Sequence, residues 1–185
     1  MFKKIFLLLC LALTACSVGK VVNVDSKTGL YPAKTEAKIV TSKSIDLDKR
    51  KGLILIPNDE FVRGSITNMH YFDEVIDFKQ LETNIIKANL TDKIPSIHDK
   101  IGINIAAKNY KDFIWFRFEK INSDPSSPKA RFILTDPITA EDIFVSETDM
   151  DYAWKGVNDQ YNWYPMFNSI IEYIKLNSKT YKKAP

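Results

Sequence analysis

Two short segments restrict the fold more than any other feature of the chain. Gly52-Leu-Ile-Leu-Ile-Pro57 is apolar throughout between a glycine and a proline, and Phe113-Ile-Trp-Phe-Arg-Phe118 is broken only by Arg117. Successive side chains of a strand point to opposite faces, so a run without alternation belongs to a strand buried on both sides. Such strands need cover above and below, which implies helices packed on a sheet. The balance of 45% hydrophobic and 26% charged residues fits a globular domain and excludes a disordered one.

The remaining elements follow from periodicity and turn chemistry. Lys38 to Leu47 reads as a strand on Ile39, Val40, Thr41 and Ile45. Asn58 to Met69 is polar and irregular, and Tyr71 to Ile76 reads as a short strand. Asp77 and Gln80 have capping-box spacing ahead of Phe78, Leu81, Ile85, Ile86 and Leu90, one face of a helix. Ser96, with Asp99 three residues on, caps a second helix through about Tyr110, with Ile101, Ile105 and Tyr110 inward. Phe113 to Phe118, Arg131 to Thr135 and Asp142 to Thr148 form an antiparallel meander, its first turn the Ser- and Pro-rich segment 122–128. The last helix runs from Trp163 to Leu176, with Pro165 in its first turn and Trp163, Phe167, Ile170, Ile171 and Ile174 buried. The expected fold is α/β (α+β): a mixed, mainly antiparallel sheet packed with about three helices, in the order β-β-β-α-α-β-β-β-α.

The N-terminus carries an address. Lys3 and Lys4 precede the apolar stretch Ile5 to Leu13, which is too short for a lasting membrane span. Leu13-Thr14-Ala15-Cys16 resembles the lipobox of bacterial lipoproteins. That resemblance implies cleavage before Cys16 and acylation of Cys16 by a palmitate class of anchor. In a Gram-negative cell, Ser17 in place of an aspartate further implies an outer-membrane, periplasm-facing protein. Residues 1–15 are then a signal peptide, residues 16–36 a flexible tether, residues 37–177 one periplasmic domain and residues 178–185 a polar tail. A free tether of this length reaches roughly 25 Å. Cleavage removes Lys3 and Lys4 and takes the net charge from +3 to +1, which argues against a nucleic-acid partner. Cys10 leaves and Cys16 carries lipid, so no thiol remains for a disulfide, and the core alone must hold the domain.

The order of elements from Gly52 to Phe118 resembles the small α/β domain shared by the N-terminal part of the Tol-system protein TolB, the curli-secretion lipoproteins and the lipoprotein activators of penicillin-binding proteins. The resemblance implies a non-enzymatic envelope protein that docks on other proteins, and it transfers no functional residue.

Chemistry-bearing motifs are sparse. His70 and His98 lack metal-ligand spacing, and no GxSxG, GxGxxG or Walker pattern occurs, so no metal, cofactor or catalytic residue is expected. The acidic groups Asp136, Glu141 and Asp142, and Glu147, Asp149 and Asp151, read as solvated loops. Residues Asp151 to Pro165 are the most unusual stretch. Tyr152, Trp154, Tyr161 and Trp163 lie there among Asn158, Asp159 and Gln160, and a turn at Lys155-Gly156 would project Trp154 outward. Three readings stay open: packing at the seam between this loop and the sheet, an anchor for an envelope protein partner, or a stacking surface for peptidoglycan or a small ligand. Trp154, Tyr152, Asn158, Tyr161 and Trp163 are the candidate surface.

Overall fold

A computed structural model describes residues 21–121, 128–150 and 159–182. The elements in chain order are β1 (Lys38–Ser42), β2 (Ile54–Ile56), α1 (Glu60–Thr67), β3 (Val75–Asp77), α2 (Phe78–Lys87), α3 (Lys100–Asn109), β4 (Ile114–Ile121), β5 (Lys129–Asp136), β6 (Glu141–Asp149), α4 (Asp159–Asn162) and α5 (Tyr164–Asn177). One six-stranded sheet runs in the order β1-β6-β5-β4-β2-β3. Strand β2 is parallel to both β3 and β4, and β4, β5, β6 and β1 are antiparallel neighbours. The meander holds register from Trp115 opposite Thr135 to Ile121 opposite Lys129.

The two apolar runs act as their composition requires. Ile54 and Ile56 enter one core with Val62 and Ile66 of α1 and Phe167 and Ile170 of α5. Leu53 and Leu55 enter a second core with Leu81 and Ile85 of α2 and Ile103 and Ala106 of α3. The fold is therefore α/β in three layers around β2 and β4, with the predicted mixed, mainly antiparallel sheet.

Helix α2 forms with the capping box read from its sequence: Gln80 N–H donates to Asp77 Oδ1 at 2.8 Å, and Asp77 N–H donates to Gln80 Oε1 at 3.1 Å. Helix α5 carries Pro165 in its first turn and buries Phe167, Ile170, Ile171 and Ile174.

Several expectations need correction. Residues Asn58 to Met69 contain helix α1, capped by Asp59, whose Oδ1 accepts from Val62 N–H at 2.9 Å. Its signal was hidden by Gly64, a weak helix former kept by close approach: a Cβ there would lie 2.6 Å from Val21 Cγ2. The strand expected at Tyr71 to Ile76 is only Val75–Asp77, while Tyr71 and Phe72 pack edge to face at 5.0 Å.

Helix α3 is capped by Asp99, not Ser96, and turns Ile103, Ala106 and Ala107 inward, leaving Ile101 73% exposed. The Ser96–Ile97 backbone lies across its first turn, where a Cβ on Gly102 would stand 2.2 Å from the Ser96 carbonyl oxygen. Gly102→Ala is expected to cost about 1–3 kcal/mol of stability, read from a denaturant midpoint. An unchanged midpoint would mean that this backbone crossing moves freely.

The segments 21–36 and 178–182 are part of the domain. Residues 21–36 pack against it where a free tether was expected. Tyr31 is 3% exposed, its hydroxyl donates to the Ser65 carbonyl, and its backbone N–H and C=O both bond the Asn168 side chain, at 2.7 and 3.0 Å. The polar tail is held in place through residue 180. Asp48 accepts from the Ser178 hydroxyl, from Thr180 Oγ1 at 2.7 Å and from Lys179 N–H at 2.8 Å. These hydrogen bonds, Ser178 first, hold the Asp48 carboxyl well below the usual carboxylate range.

Candidate functional site

Cys16, Tyr152, Trp154 and Asn158 lie outside the described residues. The other two members of the aromatic segment are engaged within the domain. Trp163 stacks on Phe132 at 6.0 Å and tilts against Phe118 at 5.2 Å. Tyr161 is half-buried, with the Lys34 ammonium 5.3 Å from its ring centroid and its carbonyl accepting from Thr35 Oγ1 at 3.2 Å. Trp163 is thus a packing residue, and Tyr161 ties the N-terminal segment to α4.

Among the described residues the acidic groups are paired, and Asp151 lies outside them. Asp136 bonds Arg50, Glu141 bonds Lys43 at 3.1 Å, and Asp142 bonds Arg117 Nη2 at 2.7 Å. Glu147 is nearly enclosed. Burial would raise its carboxyl, but hydrogen bonds from Arg131 and Lys129 outweigh burial and hold it lowered.

Its stabilising contribution is therefore present above the unfolded carboxylate range and is lost as pH falls through the lowered native value. Glu147→Gln is expected to flatten that acid limb and to cost about 1 kcal/mol at neutral pH. The figure is small because Arg131 and Lys129 are themselves 36% and 34% exposed. Urea titrations across pH 3–7 check both; an unchanged acid limb would contradict this role.

His70 lies in the turn after α1 at φ 51°, and among the described residues no group of three or more His, Cys, Asp or Glu is placed to hold a metal.

Among the described residues, two concavities stand out. The first lies at the β3 edge of the sheet, between α1 and α2, which pack on opposite faces. Here the crevice, about 570 Å³, is spanned by Arg63. Its guanidinium donates to the Val75 carbonyl at 2.9 Å, to Gln80 Oε1 at 3.0 Å and to the Asp77 carboxylate. Arg63 thereby locks α1 to β3 and α2, with three of its five N–H donors engaged in these bonds.

The second is an open groove of about 610 Å³ at the opposite edge of the sheet. It lies between the N-terminal segment, edge strand β1 and helix α5. Leu30, Ala37, Ile39, Phe144, Pro165 and Leu176 supply most of its apolar wall. Ile39 is 47% exposed and Leu176 80%, which is costly surface for side chains of this size. Asn168 is held by Tyr31, and the Ser169 hydroxyl donates to the Met166 carbonyl at 2.6 Å. Burial pushes the Tyr173 hydroxyl up to about 12, so it stays protonated near neutrality, donating to the Lys43 carbonyl at 2.9 Å. The ionised lining groups are Glu36 and Glu172, with no lysine or arginine.

This groove was not legible in sequence. Its walls come from residues 28–42, 144 and 165–176, and residues 28–36 read in sequence as tether. The local signal was Leu30-Tyr31-Pro32, an apolar pair ahead of a proline within a polar stretch.

Comparison with family models, with curated proteins and with solved structures finds no match to this chain.

Proposed function

We propose that the chain is a bacterial lipoprotein, anchored in the outer membrane by acyl chains on Cys16. Its periplasm-facing domain is a non-catalytic accessory subunit that binds a protein of an envelope assembly. The observation that carries the binding half is the open apolar groove beside the free edge of β1. A concave apolar wall without convergent reactive groups suits association better than chemistry.

The docked N-terminal segment changes the expected geometry. Only residues 17–20 separate Cys16 from Val21, whose side chain lies against Gly64 of α1. Even fully extended, the chain from Cys16 to Val21 spans about 17 Å. The α1 side of the domain is therefore held near the bilayer, and confinement there raises the effective concentration of a membrane partner. Acyl chains contribute roughly 0.8 kcal/mol per buried CH₂, so two or more make the anchor stable.

The test is quantitative cross-linking and co-purification from intact cells, comparing the wild-type chain with Cys16→Ser. One dominant protein, enriched with the wild type and lost with the variant, is the expected result. Retention on purified sacculi with no protein partner would overturn it in favour of the glycan reading of Tyr152, Trp154 and Asn158.

A further inference from the structure

We infer that the groove takes an extended apolar peptide segment carrying a lysine or arginine, laid along β1 as an added strand. The inference rests on the protein-binding reading and names the chemistry of the partner. Strand β1 is the last strand of the sheet, and β6 is its strand partner. Sheet edges left open in this way accept further strands unless blunted by charge, proline or a twist. Here the blunting is slight: Lys38 at one end and a register shift between Ile39 and Thr41. Ile39 and Val40 stand 47% and 45% exposed on the same strand.

The groove supplies what an edge alone lacks. An added strand sends every second side chain to one face, and the wall of Leu30, Ile39, Phe144 and Leu176 receives an apolar row there. Charge then selects among apolar segments. The chain has 26 lysines and arginines against 23 carboxylates, yet the groove lining holds carboxylates alone. Glu172 is 2.7 Å from Lys175, whereas Glu36 is exposed and forms no ion pair among the described residues. An entering cation therefore finds Glu36 available, and an anionic segment or a fatty-acid carboxylate meets like charge. An acyl chain would also leave the outer N–H and C=O groups of β1 without new partners.

The test uses the purified full chain in lipid nanodiscs, with empty nanodiscs as control. Three labelled octapeptides serve as probes: one alternating valine with lysine and threonine, a twin with glutamate for lysine, and a basic version interrupted by proline. Anisotropy titrations give affinity, and amide exchange maps the site. The basic peptide should bind at least about tenfold tighter than either control, with exchange slowed at residues 38–42. Leu176→Lys, a change at an exposed position, should weaken it by about tenfold without altering the melting temperature. Glu36→Gln should reduce the preference for the basic over the acidic twin.

Equal binding of the acidic twin, protection outside β1, self-association of the chain through β1 in place of peptide binding, or no binding at millimolar peptide would each overturn the inference. If peptides fail while a partner is still captured in cells, the added-strand mode alone falls. If both fail, the protein-binding reading falls with it.

Discussion

Phe132→Ala is expected to lower unfolding stability by about 3–5 kcal/mol. Phe132 is fully buried on β5, and four other aromatic rings converge on it. Phe167 of α5 lies at 4.8 Å, Phe116 at 4.9 Å, Trp163 at 6.0 Å and Phe118 at 6.2 Å between centroids. Truncation removes the transfer free energy of the ring and leaves a cavity among rigid neighbours that cannot close in on it. Domains of this size hold only about 5–15 kcal/mol in total, so the variant should stand near the edge of folding. A denaturant midpoint with unchanged slope is the readout. A loss below about 1 kcal/mol would mean that the sheet and α5 do not share one core.

Tyr31→Ala is expected to have a comparable effect, about 3–5 kcal/mol, although it lies in a stretch whose composition reads as linker. The ring stacks on Tyr164 at 5.4 Å and tilts against Phe167 at 5.8 Å, and the hydroxyl reaches the Ser65 carbonyl of α1. Tyr31→Phe isolates the hydroxyl and should cost about 1 kcal/mol, because the phenol hydrogen bond is lost while the ring remains. Burial also raises the Tyr31 hydroxyl well above its ordinary value, so it stays protonated and donating through the physiological range. If residues 21–36 were a free tether, both variants would be silent. The pair therefore decides where the folded domain begins.

The sequence was informative where one local window carried the whole signal. The capping box of Asp77 and Gln80, the stripe of α5 and the two fully apolar runs each need only neighbouring residues to be read. It was silent where a residue is explained by a distant one. Gly64 looks like a helix breaker until Val21 is placed against it. Gly102 fixes the start of α3 through the Ser96 backbone, and Asp48 orders a tail 130 residues away in the chain. Trp163 was grouped with a candidate binding surface because aromatic residues among amides suit both a ligand face and a packed seam. Its half-buried ring packs on Phe118 and Phe132 in such a seam. The groove escaped notice for the same reason as Tyr31: it exists only once the N-terminal segment, β1 and α5 are brought together.

The most direct measurement is site-specific photo-cross-linking in intact cells from Ile39 and Leu176, with Ile101 as the control position. All three side chains are exposed; Ile39 and Leu176 line the groove, and Ile101 lies on α3, across the sheet. One dominant protein adduct is expected from positions 39 and 176, none from 101, and its loss when Cys16→Ser is introduced. Adducts equally strong from 101, or none from the groove while the protein remains bound to sacculi, would contradict it.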